Sequence, residues 1–158
     1  DLILDRPVFW IADQTYLVVC LAAAAITFLG AHLVQRRYVV LLWMDAMGLA
    51  AFGVLGAHIA TLSSVGAVPA IGLGVMTATF GGLIRDVVSG EEALILKPEI
   101  YATAALVSSC VYVGAVAADA PTVVSALAGT TAGFLLRAGA ILRGWRLPRY
   151  RPRPGRTY

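Results

Sequence analysis

The residues with chemical reach gather in one apolar run, Gly72-Leu-Gly74-Val-Met-Thr77-Ala-Thr79-Phe-Gly81-Gly82-Leu-Ile-Arg85-Asp86. Four glycines and two threonines in that run suit a straight helix poorly, since each interior glycine costs about 1 kcal/mol relative to alanine. The adjacent Gly81 and Gly82 predict a kink or an unwound turn. Broken backbone at membrane depth persists only where protein or water satisfies its carbonyls. Freed carbonyls, with the hydroxyls of Thr77 and Thr79, are the ligands a dehydrating monovalent cation needs. A competing reading is that the glycines let helices pack closely, and the two can hold together.

Charge enters at three positions. Arg85 and Asp86 are either an interfacial pair reaching the headgroups from a helix end or a gating pair on a water-filled cavity. Asp45 lies about seven residues inside another apolar run. An acid there costs about 3 kcal/mol on insertion scales and usually faces the bundle interior. Its candidate partners are Arg85, Arg36 and Arg37; an interfacial aspartate is the alternative.

Other reactive residue types point to no chemistry. Cys20 and Cys110 sit in apolar runs without a CxxC or CxxH companion, so a metal centre is not expected. His32 and His58 fall near the ends of apolar stretches and read as interfacial or satisfied. Gly72-x-Gly74 lacks the third glycine of a dinucleotide fingerprint. No Ser/His/Asp or Cys/His arrangement is suggested, so neither catalysis nor a cofactor is expected. Gly129-Thr-Thr-Ala-Gly133 is a GxxxG pattern suited to helix packing, within a subunit or between subunits.

These residues need hydrophobic elements to hold them. The chain is 59% hydrophobic and 13% charged, with a mean hydropathy of +0.83, against about 25% charged residues in soluble domains. Five stretches are long enough to cross a bilayer core, which requires about 20 helical residues. They run from Thr15 to Gln35, Tyr38 to Thr61, Val65 to Ile84, Ile100 to Ala118, and from after Pro121 to Leu142. The architecture expected is an all-α, polytopic transmembrane bundle with short connections.

Of the twelve basic residues, six lie between Arg143 and Arg156. The net charge of +3 is therefore an end effect that fits a membrane surface, not nucleic acid. Arg36-Arg37, Arg85 with Lys97, and the arginine tail fall on one side of the membrane, while the loops at Leu62–Ser64 and Ala118–Ala120 carry no Lys or Arg. The basic side, including the C-terminal tail, is expected to be cytoplasmic. No secretory signal pattern opens the sequence.

An internal repeat is visible between the start and the middle. Asp1 precedes Tyr16 by fifteen residues, as Asp86 precedes Tyr101. Leu2-Ile3-Leu4 aligns with Val87-Val88-Ser89, and Phe9-Trp10-Ile11 with Leu94-Ile95-Leu96. The two helices opened by these tyrosines are three crossings apart and so point oppositely, the arrangement of inverted-repeat transporters and some channels. By that logic about two helices are missing before Asp1. The segments are then residues 1–37, the end of a first repeat; 38–118, a second three-helix repeat; 119–142, a final helix; and 143–158, a basic, proline-rich tail.

Thr77-Ala-Thr79-Phe-Gly81-Gly82-Leu-Ile-Arg85-Asp86, followed by Lys97-Pro98-Glu99-Ile100-Tyr101-Ala102-Thr103, resembles the second repeat of the prokaryotic trimeric intracellular cation (TRIC) channels. That family is also described by a glycine-transporter-like domain. Asp1 to Trp10 resembles the segment after the first-repeat glycine motif, and the similarity covers nearly all of residues 1–142. The resemblance implies seven helices, in two inverted three-helix repeats plus one, assembled as a homotrimer. Each subunit would carry a pore lined by two kinked glycine-containing helices, the second broken at Gly81 and Gly82. Phe80 stands where many relatives have a third glycine. The implied function is a potassium-permeable, monovalent-cation channel in a prokaryotic plasma membrane, with potassium or sodium as permeant ion. A transporter of a small solute such as glycine is one alternative. A non-conducting assembly subunit is another.

Overall fold

The computed structural model describes residues 14–30, 37–90 and 100–145, without the side chains of Arg37, Tyr38 and Ser89. His32, Arg36, Lys97, the Asp1–Trp10 arm of the repeat and the tail beyond Trp145 lie outside that description. Among the described residues there are five α-helices and no strand. They are α1 (Thr15–Gly30), α2 (Arg37–Leu62), α3 (Ala67–Ser89), α4 (Ala102–Ala117) and α5 (Thr122–Arg143). The fold is all-α.

The chain divides into two units, 1–44 and 45–158. The first holds α1, every described side chain of which is exposed. The second holds α2 from Asp45 onward together with α3, α4 and α5.

Three helical stretches are long and apolar enough to cross a membrane: Val39–Leu62, Ala67–Val88 and Thr122–Arg143. The other two expected spans are shorter apolar helices, Thr15–Leu29 and Ala102–Ala117. At 1.5 Å per residue the 16 residues of α4 rise about 24 Å, less than the roughly 30 Å of a hydrocarbon core. Two tight turns reverse the chain, and each uses a non-glycine residue in the left-handed region, Ser64 (φ 56°) and Asp119 (φ 58°). Helix α3 does not stop at Ile84. It continues past Arg85 and Asp86 to a left-handed C-cap at Gly90, whose N–H reaches the carbonyls of Asp86 and Val87.

The core of the second unit is built from small residues. Ala46, Ala50, Ala57, Ala60, Ala70, Ala104 and Ala105 are each at most 1% exposed, whereas Val68 and Val88 are more than 80% exposed. Lipid tails are as apolar as leucine, so burying large aliphatics between membrane helices gains little. Close backbone approach gains dispersion contact instead. Gly129 and Gly133 follow this rule inside the chain. A Cβ at Gly129 would stand 2.7 Å from the Ser108 carbonyl, and one at Gly133 would stand 3.0 Å from the Ala104 carbonyl, so both seat α5 on α4. Ser109 Oγ donates to the Gly53 carbonyl at 3.1 Å, tying α4 to α2 with a side chain that is itself buried.

Candidate ion-path site

At one end of the second unit, where α3 finishes and α4 begins, four helices contribute to a polar cluster. Arg85 of α3 donates from Nη1 to Asp45 Oδ1 of α2 at 2.7 Å. It also donates from Nε and Nη2 to Asp86 Oδ1 at 2.9 and 2.7 Å. The two carboxylate side chains are 8% and 6% exposed and the guanidinium side chain 26%. Charges this far from water persist only when paired with good geometry, and the planar guanidinium supplies it by forking between two acids. Asp45 Oδ2 is buried and has no hydrogen-bond partner among the described residues.

The second tier of the cluster comes from further along the chain. Tyr101, 2% exposed, donates its hydroxyl to Asp45 Oδ1 at 3.4 Å. It occupies the space where a side chain at residue 82 would go, since a Cβ on Gly82 would collide with the Tyr101 hydroxyl. Arg137 of α5 lies with its guanidinium carbon 5.2 Å from the Tyr101 ring centre, within cation–π range. Its Nη1 reaches the Ile100 carbonyl at 3.4 Å.

Beside the ion pair is a cavity of about 250 Å³, bounded by Asp45, Gly48 and Phe52 of α2 and by Thr77, Gly81, Gly82 and Arg85 of α3. A Cβ at Gly48 or Gly81 would meet nothing within 4 Å. Missing side chains at these two positions therefore widen the cavity and do not bring helices together.

Several of the expected residues can be placed against this geometry. Helix α3 is α-helical without interruption from Ala67 to Ser89, so Gly81 and Gly82 do not unwind it. Unlike proline, glycine keeps its N–H and can continue the hydrogen-bond ladder. Its propensity penalty of about 1 kcal/mol is small beside the gain from tertiary contacts. The threonine hydroxyls each donate their hydrogen within their own helix. Thr77 donates to the Leu73 carbonyl at 2.8 Å, and Thr79 to the Val75 carbonyl at 2.9 Å.

Thr77 lines the cavity and Thr79 does not; the latter is 4% exposed. Residues two apart on a helix cannot share a face. Arg85 and Asp86 stand a turn inside α3 and not at its end. Asp86 is buried in its pair with Arg85 and is not in the cavity wall. Of the three partners considered for Asp45, Arg85 is the one observed; Arg36 and the Arg37 side chain fall outside the described residues.

Two residues of the cluster carry no site pattern in the sequence: Tyr101 stands there as a landmark of the repeat and of the family motif, and Arg137 lies inside an apolar stretch. The cost of an arginine inside a span of 22 residues was the signal available for the second.

A second cavity, of about 440 Å³, lies toward the other end of the unit between α2, α4 and α5. Its walls are mainly apolar, with His58, Tyr112, Thr122 and Thr130 as polar exceptions. His58 Nδ1 and the Tyr112 hydroxyl share a hydrogen bond of 2.6 Å, with the rings edge to face at 5.8 Å.

Comparison with known proteins gives this geometry a family. The glycine transporter family model matches residues 42–117. A UPF0126 membrane protein of Vibrio cholerae is 36% identical over 148 residues, covering 91% of this chain and 61% of the relative. The UPF0126 inner membrane protein YadS of Escherichia coli is 35% identical over 156 residues, covering 95% and 74%. Among solved structures, the TRIC trimeric intracellular cation channel orthologue from Rhodobacter sphaeroides superposes with a TM-score of 0.88. It shares 46% sequence identity, covering 92% of this chain and 75% of that one. The chain belongs to the TRIC family. It is a membrane protein, and it spans less than two thirds of the Vibrio relative's length. Within the TRIC fold the cluster draws on every helix of the second unit.

Proposed function

We propose that this chain forms part of a potassium-permeable path for monovalent cations, in a homotrimer in a prokaryotic plasma membrane with its C-terminal tail cytoplasmic. The observation that carries the reading is the Asp45–Arg85 pair on the wall of a cavity that Gly48 and Gly81 leave open. Its support is the likeness to a solved trimeric intracellular cation channel.

The path runs past the glycine face of α3 without a break in that helix. Asp45 supplies the negative field that favours a cation, and Arg85 holds that carboxylate while no ion is near. A passing potassium or sodium ion competes with the guanidinium for Asp45, and Asp86 keeps Arg85 from leaving altogether. Binding in such a path is strong enough to admit an ion and weak enough to release it. Thr77 is the hydroxyl placed to replace part of the hydration shell.

Planar-bilayer recording of the full-length protein, with potassium opposite sodium, tests this directly. The expected result is unitary cation currents that Asp45→Asn and Gly81→Leu reduce. Saturable uptake of labelled glycine without unitary currents would instead establish a small-solute transporter, a reading favoured by the family description of residues 42–117. Neither current nor uptake would leave an assembly subunit.

A further inference from the structure

Arg137 is the largest fully buried side chain among the described residues, 1% exposed on a membrane-spanning helix, yet it is absent from the wall of either cavity. A guanidinium in that setting is expensive, and a helix that only needed to pack would carry an aliphatic residue there. Its contacts indicate what it does. The planar head lies 5.2 Å from the Tyr101 ring centre, and Nη1 donates to the carbonyl of the preceding residue, Ile100. It thus holds both the ring and the backbone at the entry to α4.

The Tyr101 hydroxyl in turn donates to Asp45 Oδ1, the oxygen that also receives Arg85 Nη1. Gly82 is the gap that lets the phenol reach it. A cation over the face of the ring withdraws electron density, and the phenol becomes a better donor to the carboxylate.

We propose that Arg137 is a positioning residue which, acting through Tyr101, sets the charge that Asp45 presents to the permeant cation. The proposal rests on the channel reading above, and its target is Asp45 in the cavity wall. Without Arg137 the phenol loosens, Asp45 loses one of its two donors, and the competition between ion and Arg85 changes.

The test uses full-length protein in planar bilayers with potassium opposite sodium, read as the reversal potential. This measure does not depend on how many channels fold. Arg137→Gln and Tyr101→Phe are each expected to change the potassium-to-sodium permeability ratio in the same direction, about three- to tenfold for a contact of cation–π strength. The double variant should go no further than either single one, and Arg137→Lys should recover part of the effect. A wild-type ratio in Arg137→Gln, or additive changes in the double variant, overturns the proposal and leaves the channel reading standing.

A second measurement does not need current. With 3-fluorotyrosine at position 101, the fluorine resonance should move in both Arg137→Gln and Asp45→Asn. A resonance unmoved by Arg137→Gln overturns the proposal alone. A wild-type protein that passes no cation current overturns the channel reading and this proposal with it.

Discussion

The two cavities of the second unit share helix α2 and differ in almost everything else. Near Asp45 the wall carries an ion pair with two glycines that face open space. Near His58, about three and a half turns along the same helix, the wall is mainly apolar, and two of its polar groups, His58 and Tyr112, share a hydrogen bond. A charge that must be held in a low-dielectric interior recruits partners from several helices, whereas a hydrogen-bonded side-chain pair needs only one neighbour. Charge at one end, with side chains removed beside it, is what a path for cations requires. The other end has the composition of a packing defect.

The largest effect expected from breaking this contrast is at Arg85. Arg85→Ala leaves Asp45 and Asp86 without their shared counter-charge. It should destabilise the protein by about 3 kcal/mol, read as a lower thermal midpoint in detergent, and abolish cation current. Next comes a pair of adjacent substitutions. Gly82→Leu drives a side chain into Tyr101 and Asp45 and should cost about 2–3 kcal/mol by overpacking. Gly81→Leu meets open space, so its midpoint should stay near wild type while single-channel conductance falls. Equal destabilisation by the two would contradict the placement of the cavity.

At the other end, Tyr112→Phe removes one hydrogen bond and should cost about 1 kcal/mol with the permeability ratio unchanged. A shifted ratio there would erase the distinction between the two cavities. The smallest effect is at the Ser64 turn. Ser64→Gly relieves a left-handed conformation that disfavours L-residues by about 1–2 kcal/mol. Part of that is returned as unfolded-state entropy, so a gain of about 0.5 kcal/mol is expected.

Much of this was legible in the sequence because it follows from the solvent. Apolar runs mark the helices, and an acid deep in such a run demands a partner, which placed Arg85 among three candidate arginines for Asp45. What stayed hidden depends on rotation and on distance along the chain. Thr77 and Thr79 look equivalent in a string of letters, yet a helix turns roughly 200° between them, and one faces the cavity while the other is buried. Gly81 and Gly82 look like one signal and have two roles, since open space lies over the first and a phenol over the second. Their low helix propensity suggested a kink or an unwound turn; the helix does not unwind, because propensity is a weak prior that tertiary contacts override. Tyr101 and Arg137 meet Asp45 across 56 residues in one case and through an intermediary in the other, separations that no local pattern reports.

The thiol of Cys110 is exposed on α4, on the same helix whose buried serines hold the bundle together. A nitroxide attached there needs no engineered cysteine on this helix and sits about halfway along it. Its collision rate with oxygen, set against that with a water-soluble nickel chelate, would measure immersion depth in the bilayer. Cys20 is exposed as well, so it is first replaced by serine; spin–spin broadening between the Cys110 labels would then appear only if other copies of the chain bring their α4 helices close. The remaining thiol can therefore report what surrounds this face: acyl chains, water or another subunit.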